Sequence, residues 1–546
     1  MHRREVIRRF GALAVCAFGP AWAADDRSGA APDSACASEP RGRLLVPGVD
    51  GFLGRLSPGD DVLTVEAVDL SPVLGRSVPR LTAGYVATHR GRRYLNPTLL
   101  LRKGQRLRVA FTNRIAEPTI VHWHGLAVDT NNDGGGTFVA APGERYSYDF
   151  EVRNRASLYW YHPHPHGFTA GQAYRGLFGM IEVDDTDEQR LRRELDLVPG
   201  RSEIALLLQD RRGPSYAPTE TDRVHGWLGD TVQVNGSSCP HLDVSTRIHR
   251  LRIVNASNAR TYLLGVRAQD GKALPFFVIG GDGGLLPAPV ECVRAFLASA
   301  ERLDILLDLS RADVGDTLVI ETQRFDPMHM ETSGAASEPA PIDHSMHGAS
   351  ADAKGATSAP VDHAAMGHGG GFPEGAPREL LHLHVRRRVA HGAQIPAMLS
   401  SIVPIDVTSA TERPLRLGFA KGRWRINDRV FVMGETPIEV QRDSVETWLI
   451  RNYFTSMPHA MHIHGFHFQV LSRETSPDQV AALKIDEHGR LATDLGWKDT
   501  VLVWPGESVR IAIDFAMNFA GPQTYMVHCH NLEHEDGGMM LGMKVA

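Results

Sequence analysis

Hydrophobic residues recur at every second position in several short runs of the chain. From Arg106 to Asn113, Leu107, Val109 and Phe111 alternate with polar neighbours, and Tyr146, Tyr148, Phe150 and Val152 do so after Pro142-Gly143-Glu144. A period of two is that of a strand with one buried face, and such runs, broken by turn residues at short intervals, predict a β-sandwich. The unit recurs twice more. Pro505-Gly506-Glu507 precedes Val509, Ile511, Ile513 and Phe515, and Ala300-Glu301-Arg302 precedes Leu303, Ile305, Leu307 and Leu309. Three copies of one strand unit predict three similar all-β domains.

The chain is 546 residues long, which at about 150 residues per domain agrees with three or four domains. The expected boundaries are 44–185, 186–325 and 379–546. The middle domain carries Gly229 to Gly236 and Arg252 to Arg260 as turn and strand signals. Residues 326–378 differ in composition, being rich in Ala, Gly, Ser and Pro, and are expected to form a flexible insert. Embedded there are Met328 and Met330, then His344, Met346 and His347, then His363, Met366 and His368. Thioethers and imidazoles on such a chain suit capture of Cu(I) or transient Cu(II).

The N-terminus departs from the sandwich pattern. Arg3-Arg4 is followed by the apolar run Gly11 to Ala23, ending in Ala21-Trp22-Ala23. Residues 1–23 are thus expected to be a twin-arginine-type export signal, too short to span a bilayer, on a soluble periplasmic protein. Residues 24–43 read as a disordered lead-in. The net charge is -6, and residues 1–23 contribute +3, leaving -9 afterwards. This balance suggests no nucleic-acid partner. Of five cysteines, Cys16 belongs to the signal; Cys36, Cys239, Cys292 and Cys529 remain. With Cys529 reserved for metal, the other three form at most one internal disulfide; an oxidising compartment permits Cys239 with Cys292, and sequence alone leaves the pairing open.

Chemistry concentrates in histidine pairs. His122-Trp-His124-Gly and His162-Pro-His164 bracket the first strand unit, and His462-Ile-His464-Gly and His528-Cys-His530 bracket the third. On a strand, residues two apart share a face, so each pair presents two imidazoles together. Eight imidazoles can supply a three-metal cluster as two, three and three, provided that the first and third domains pack together. In Met526 to His530, Cys529 faces the opposite way. With His534, Met539 and the remaining His459 it supplies a thiolate, two imidazoles and a thioether, the donors of a blue-copper centre. His166 and His467 fall outside these sets.

These motifs resemble those of the multicopper oxidases, from about Leu44 to Ala546. The resemblance implies three cupredoxin-like Greek-key sandwiches and four copper ions. A type-1 copper would be held by His459, Cys529, His534 and Met539, and a type-2 copper by His122 and His462. His124, His162, His164, His464, His528 and His530 would hold a type-3 pair. Ala460 departs from a common proline and leaves the ligand set intact.

The implied activity couples four one-electron oxidations to reduction of O2 to water, with Asp133 and Glu535 as proton relays. The export signal, the Met/His tract and Met457 resemble the cuprous-oxidase branch of copper tolerance, although Thr455 stands where that branch has aspartate. Small phenols or aromatic amines, as for a laccase, are the alternative reductants. A copper-storage or scaffold protein on the same fold is the non-enzymatic alternative, and nothing in the sequence requires more than a monomer.

Overall fold

The computed structural model describes Cys36, residues 42–48, 52–70, 81–136, 138–213, 215–329 and 372–546. The export signal lies outside these residues, as do Met330, His344, Met346, His347, His363, Met366 and His368 of the insert. Among the described residues, no helix is long and apolar enough to cross a membrane.

Among the described residues, six sheets form three β-sandwiches, and the repeated unit expected from the sequence is the same in each. In the first, Val62–Asp69 runs parallel to Arg106–Asn113, which pairs antiparallel with Arg145–Glu151. In the second, Glu203–Arg211, Ile248–Asn255 and Arg302–Asp308 repeat that order. Thr411–Ala420, Val445–Asn452 and Ser508–Asp514 repeat it in the third. Alternation dictates what is inside: Leu107, Val109 and Phe111, and likewise Val509, Ile511 and Ile513, are buried in their cores.

The strand Arg302–Asp308 of the second sandwich is covered on both faces over most of its length, so Arg302 and Asp304 are buried too. They survive burial as ion pairs, which removes most of the desolvation cost of isolated charge. Arg250 is clamped between Asp304 and Glu188, and Glu188 also meets Arg192 at 3.1 Å and Arg252 at 3.3 Å.

Two expectations change, and the open disulfide pairing is resolved. The strand Arg378–Arg387, assigned by sequence to the third domain, lies between His241–Ser245 and Thr317–Thr322 and completes the second sandwich. Its pattern is that of a strand in any domain; only its partners identify the sheet. The disulfide joins Cys36 to Cys239, with Cα atoms 5.6 Å apart, and leaves Cys292 as a half-buried thiol. Part of the lead-in is thereby held: beside the disulfide, Arg43 bridges to His241.

Candidate metal centre

The strand Gln523–Cys529 is central in its sheet, with Met461 opposite Cys529 and His462 opposite His528. Its pleat sends His528 and Cys529 to opposite faces, and His530 follows where the strand ends. Asn531 then caps the short helix Leu532–Asp536, its side chain accepting from the Glu533 and His534 backbone N–H groups. This turn brings His534 back over Cys529. The Cys529 Sγ lies 3.5 Å from His459 Nδ1 and 3.6 Å from His534 Nδ1. Met539 is fully buried in the same core. Burial pushes the Cys529 thiol up to about 12, so a thiolate there requires a cation to displace its proton.

The outer edges of these two imidazoles are covered. His534 Nε2 donates to the Val224 carbonyl at 2.8 Å, and Ser456 Oγ lies 3.2 Å from His459 Nε2. Trp424 lies across both rings, its centroid 4.6 Å from that of His459 and 5.1 Å from that of His534. The rings are 0% and 1% exposed.

On the other face, the eight paired imidazoles converge between the first and third sandwiches, all buried. The groups whose nitrogens are close enough to share a metal ion include His122, His124 and His462; His124, His162 and His530; and His164, His464 and His528. Outer partners select which nitrogen faces inward. His122 Nδ1 donates to the Asp133 carbonyl at 2.7 Å and His462 Nδ1 to the Asp499 carbonyl at 2.8 Å. Their Nε2 atoms are left buried without a hydrogen-bond partner. His464 Nδ1 meets Asp133 Oδ2 at 2.8 Å, and His124 Nε2 meets Asp499 Oδ1 at 3.1 Å.

The inward nitrogens crowd one another. His528 Nε2 is 3.0 Å from His464 Nε2 and 3.2 Å from His164 Nε2, and His162 Nε2 is 3.3 Å from His530 Nε2. Burial, followed by the neighbouring imidazoles, holds His122, His162, His464 and His530 well below their ordinary range. Neutral rings that aim lone pairs at one another call for a cation between them.

Known proteins share this arrangement. Two family profiles, each described as multicopper oxidase, match residues 83–188 and 405–546. The Multicopper oxidase mco of Staphylococcus aureus is 28% identical, over 83% of this chain and 82% of its own. The Cell division protein FtsP of Xenorhabdus nematophila is 30% identical over 82% of each. The crystal structure of the McoA multicopper oxidase from Aquifex aeolicus superimposes with a TM-score of 0.77 at 31% identity, covering 93% of this chain and 100% of that one. The chain belongs to the multicopper oxidase family.

Copper, the metal that this family implies, fits the residues present: a buried thiol between two imidazoles, unpartnered Nε2 atoms on His122 and His462, and other imidazole nitrogens that face one another. The oxidase holds carboxylates against both sides of the imidazole cluster. Asp133 ends the short helix Thr130–Asp133, whose cap Gly134 has φ +70; a Cβ there would strike the Val121 carbonyl, so the turn that aims Asp133 inward requires glycine. Burial pushes the Asp133 carboxyl up to about 8. Glu535 is 1% exposed, 3.3 Å from His528 Nδ1 and 3.6 Å from His164 Nδ1, and burial raises it well above its ordinary range.

Other candidates separate. Met457 packs in the core around Cys529, while Met328 packs against a different cluster, the one that holds Phe296, Phe325 and Trp504. His166 faces the Phe431 ring, and His467 Nε2 lies 3.7 Å from Asp499 Oδ2.

The sequence reading missed Asp499, Arg302 and Trp424. Burial opposes charge on Asp499, but the Arg302 guanidinium overrides it and holds the carboxyl well below the usual range. Lys498-Asp499-Thr500 opens the strand Thr500–Val503 opposite His459–Ile463. That register, invisible in a single sequence, is what carries Asp499 to His124.

Proposed function

We propose that this oxidase holds four copper ions and couples four one-electron oxidations of Cu(I) to reduction of O2 to two waters, in copper tolerance outside the cytoplasm. In this reading His459, Cys529, His534 and Met539 hold type-1 copper. His122 and His462 hold type-2 copper, and His124, His162, His164, His464, His528 and His530 hold the type-3 pair. Bound there, copper supplies the one-electron steps and the site at which O2 is reduced.

The chain's own residues supply the rest. Cys529 is bonded on either side to His528 and His530, so a few covalent bonds link the thiol site to the imidazole cluster. Asp133 and Glu535, each buried against cluster imidazoles, deliver protons to the reduced oxygen. Asp499 orients His124.

The observation that carries Cu(I) over a phenol is the cover on the thiol site. Val224, Ser456 and Trp424 cover the outer edges of His534 and His459, so that among the described residues the two rings are 1% exposed or less and offer an aromatic reductant little direct contact. A reductant that passes an electron through a thin protein layer suits this arrangement. The Met/His-rich sequence of the insert supports the same ion.

One observation favours a second reading, a protein acting by binding on the same fold: the likeness to a cell division protein. The complete set of twelve ligand-type side chains supports catalysis instead.

Oxygen uptake by the copper-loaded protein, with Cu(I) and separately with a phenol as reductant and Cys529→Ser as blank, tests this. Uptake with Cu(I) well above that with the phenol is expected. Phenol oxidation that dominates makes the protein a laccase, and no uptake from either leaves the binding reading.

A further inference from the structure

Where the lead-in meets the second sandwich lies a cavity of about 1090 Å3 that none of the twelve ligand-type residues lines. Small organic ligands occupy pockets of about 300–1,000 Å3, so it holds far more than an inorganic ion. Five guanidinium groups line it, from Arg43, Arg201, Arg247, Arg386 and Arg387. Among the described residues that line it, Asp243 is the one carboxylate, and it is shared by Arg386 at 3.2 Å and Arg43 at 3.9 Å. Cations gathered in this excess repel one another, and a bound anion relieves the repulsion.

The cavity also holds buried polar atoms with nothing to bind. Arg247 Nη2 donates to the Leu195 carbonyl at 3.3 Å and meets Asp196 Oδ2 at 3.1 Å, which fixes the side chain, while its Nε is buried without a partner. His249, within electrostatic reach of Arg247, is 2% exposed. Its Nε2–H donates to the Ser245 carbonyl at 3.0 Å, and its Nδ1 is likewise buried without a partner. Burial holds this ring down to about 4, so at neutral pH Nδ1 offers a lone pair. An unsatisfied donor and an unsatisfied acceptor, each costly to bury, thus stand near each other.

Apolar side chains complete the lining. Phe52, Leu242 and Val244 are buried, whereas Leu45 and Val198 are exposed. The wall from the lead-in is built in: the Leu44 N–H donates to the His241 carbonyl and Asn235 Nδ2 to the Leu45 carbonyl, each at 2.8 Å.

We infer that this cavity binds an anionic amphiphile, an organic phosphate whose head lies among the guanidiniums and whose apolar chain lies along Phe52, Leu242 and Val244. Guanidinium forks match phosphate oxygens. One such oxygen accepts from Arg247 Nε, and a hydroxyl on or beside the phosphate donates to His249 Nδ1. Inorganic phosphate would leave the apolar wall and most of the volume unfilled, and a neutral lipid would leave the guanidiniums uncompensated.

The test is calorimetry on the full copper-loaded chain with dodecyl phosphate below its micelle concentration. Wild type is expected to bind one equivalent, and the double variant Arg201→Gln/Arg387→Gln at least about tenfold more weakly, a loss of ~1.4 kcal/mol. Both residues are exposed, so the variant's melting temperature and blue absorption should match wild type. Inorganic phosphate and dodecanol should each bind wild type at least tenfold more weakly than dodecyl phosphate. Absence of dodecyl phosphate binding, or equal binding by wild type and the variant, overturns the site. Inorganic phosphate binding as tightly overturns the chain subsite, and dodecanol binding as tightly overturns the phosphate subsite. Sedimentation with phosphatidylcholine vesicles containing phosphatidic acid separates the sources. Sedimentation that the variant loses upholds the site with a bilayer head group as ligand; dodecyl phosphate binding without sedimentation upholds it with a free amphiphile.

Discussion

Asp133, from the first sandwich, meets His464, from the third, through a 2.8 Å contact between Oδ2 and Nδ1. The same residue accepts from His122 through its backbone carbonyl, so its side chain can change without moving that ring. Asp133→Asn keeps a hydrogen-bonding group toward His464 and removes the acid. Oxygen consumption should fall about 10²-fold, the lower range for loss of a general acid or base, while the blue absorption persists. An oxygen electrode and a visible spectrum check both; lost colour or unchanged turnover refutes the relay.

Trp424 closes the outer side of the thiol site. Trp424→Ala removes a ring lying over His459 and His534 and is expected to increase kcat/KM for a small phenol by about tenfold, ~1.4 kcal/mol of barrier. The cavity should also cost about 3–5 kcal/mol of stability. Steady-state phenol oxidation below the variant's melting temperature decides the matter: an unchanged kcat/KM means that the cover does not exclude aromatic reductants.

Glu188 supplies a pH dependence remote from any copper. Burial opposes its charge, yet Arg250, then Arg252 and Arg192, override this and hold its carboxyl well below the ordinary value. A carboxyl whose folded pKa lies below its unfolded value stabilises the fold fully above ~4.3, and this stabilisation is lost as pH falls from there toward the folded value. Glu188→Gln, which leaves buried guanidiniums unpaired, should cost about 3–5 kcal/mol at neutral pH. Melting temperatures scanned from neutral pH into acid should converge for the two proteins below the unfolded pKa. Parallel curves would refute the linkage.

The Cys36–Cys239 disulfide spans 203 residues of sequence and ties the lead-in to the second sandwich. Cys36→Ser should lower stability by about 2–5 kcal/mol and leave the blue absorption intact at room temperature. Peptide mapping without reductant should recover Cys36 linked to Cys239 and Cys292 as an alkylated thiol. A Cys239–Cys292 peptide would restore the pairing that the sequence permits.

Much of this was legible in the chain. The period-two runs located Arg106–Asn113, Arg302–Asp308 and Ser508–Asp514, because alternation is a local property of strands. The His-x-His pairs located eight converging imidazoles for the same reason: two residues apart on a strand share a face. What was not legible depends on pairing between distant segments. Arg378–Arg387 alternates like any strand, and only its register against Thr317–Thr322 assigns it to the second sandwich. Asp499 looks like a surface turn residue until Thr500–Val503 aligns with His459–Ile463. Trp424 and Val224 meet across 200 residues, a contact for which a single sequence holds no signal.

The bond between Arg302 and Asp499 joins the second sandwich to the third, and Asp499 reaches His124 in the first. The middle sandwich, which lends the imidazole cluster no ligand, thus braces it from outside through Arg302 and Asp499. Damage at Arg302, far from any ligand in sequence, would reach the cluster through the carboxylate that holds His124.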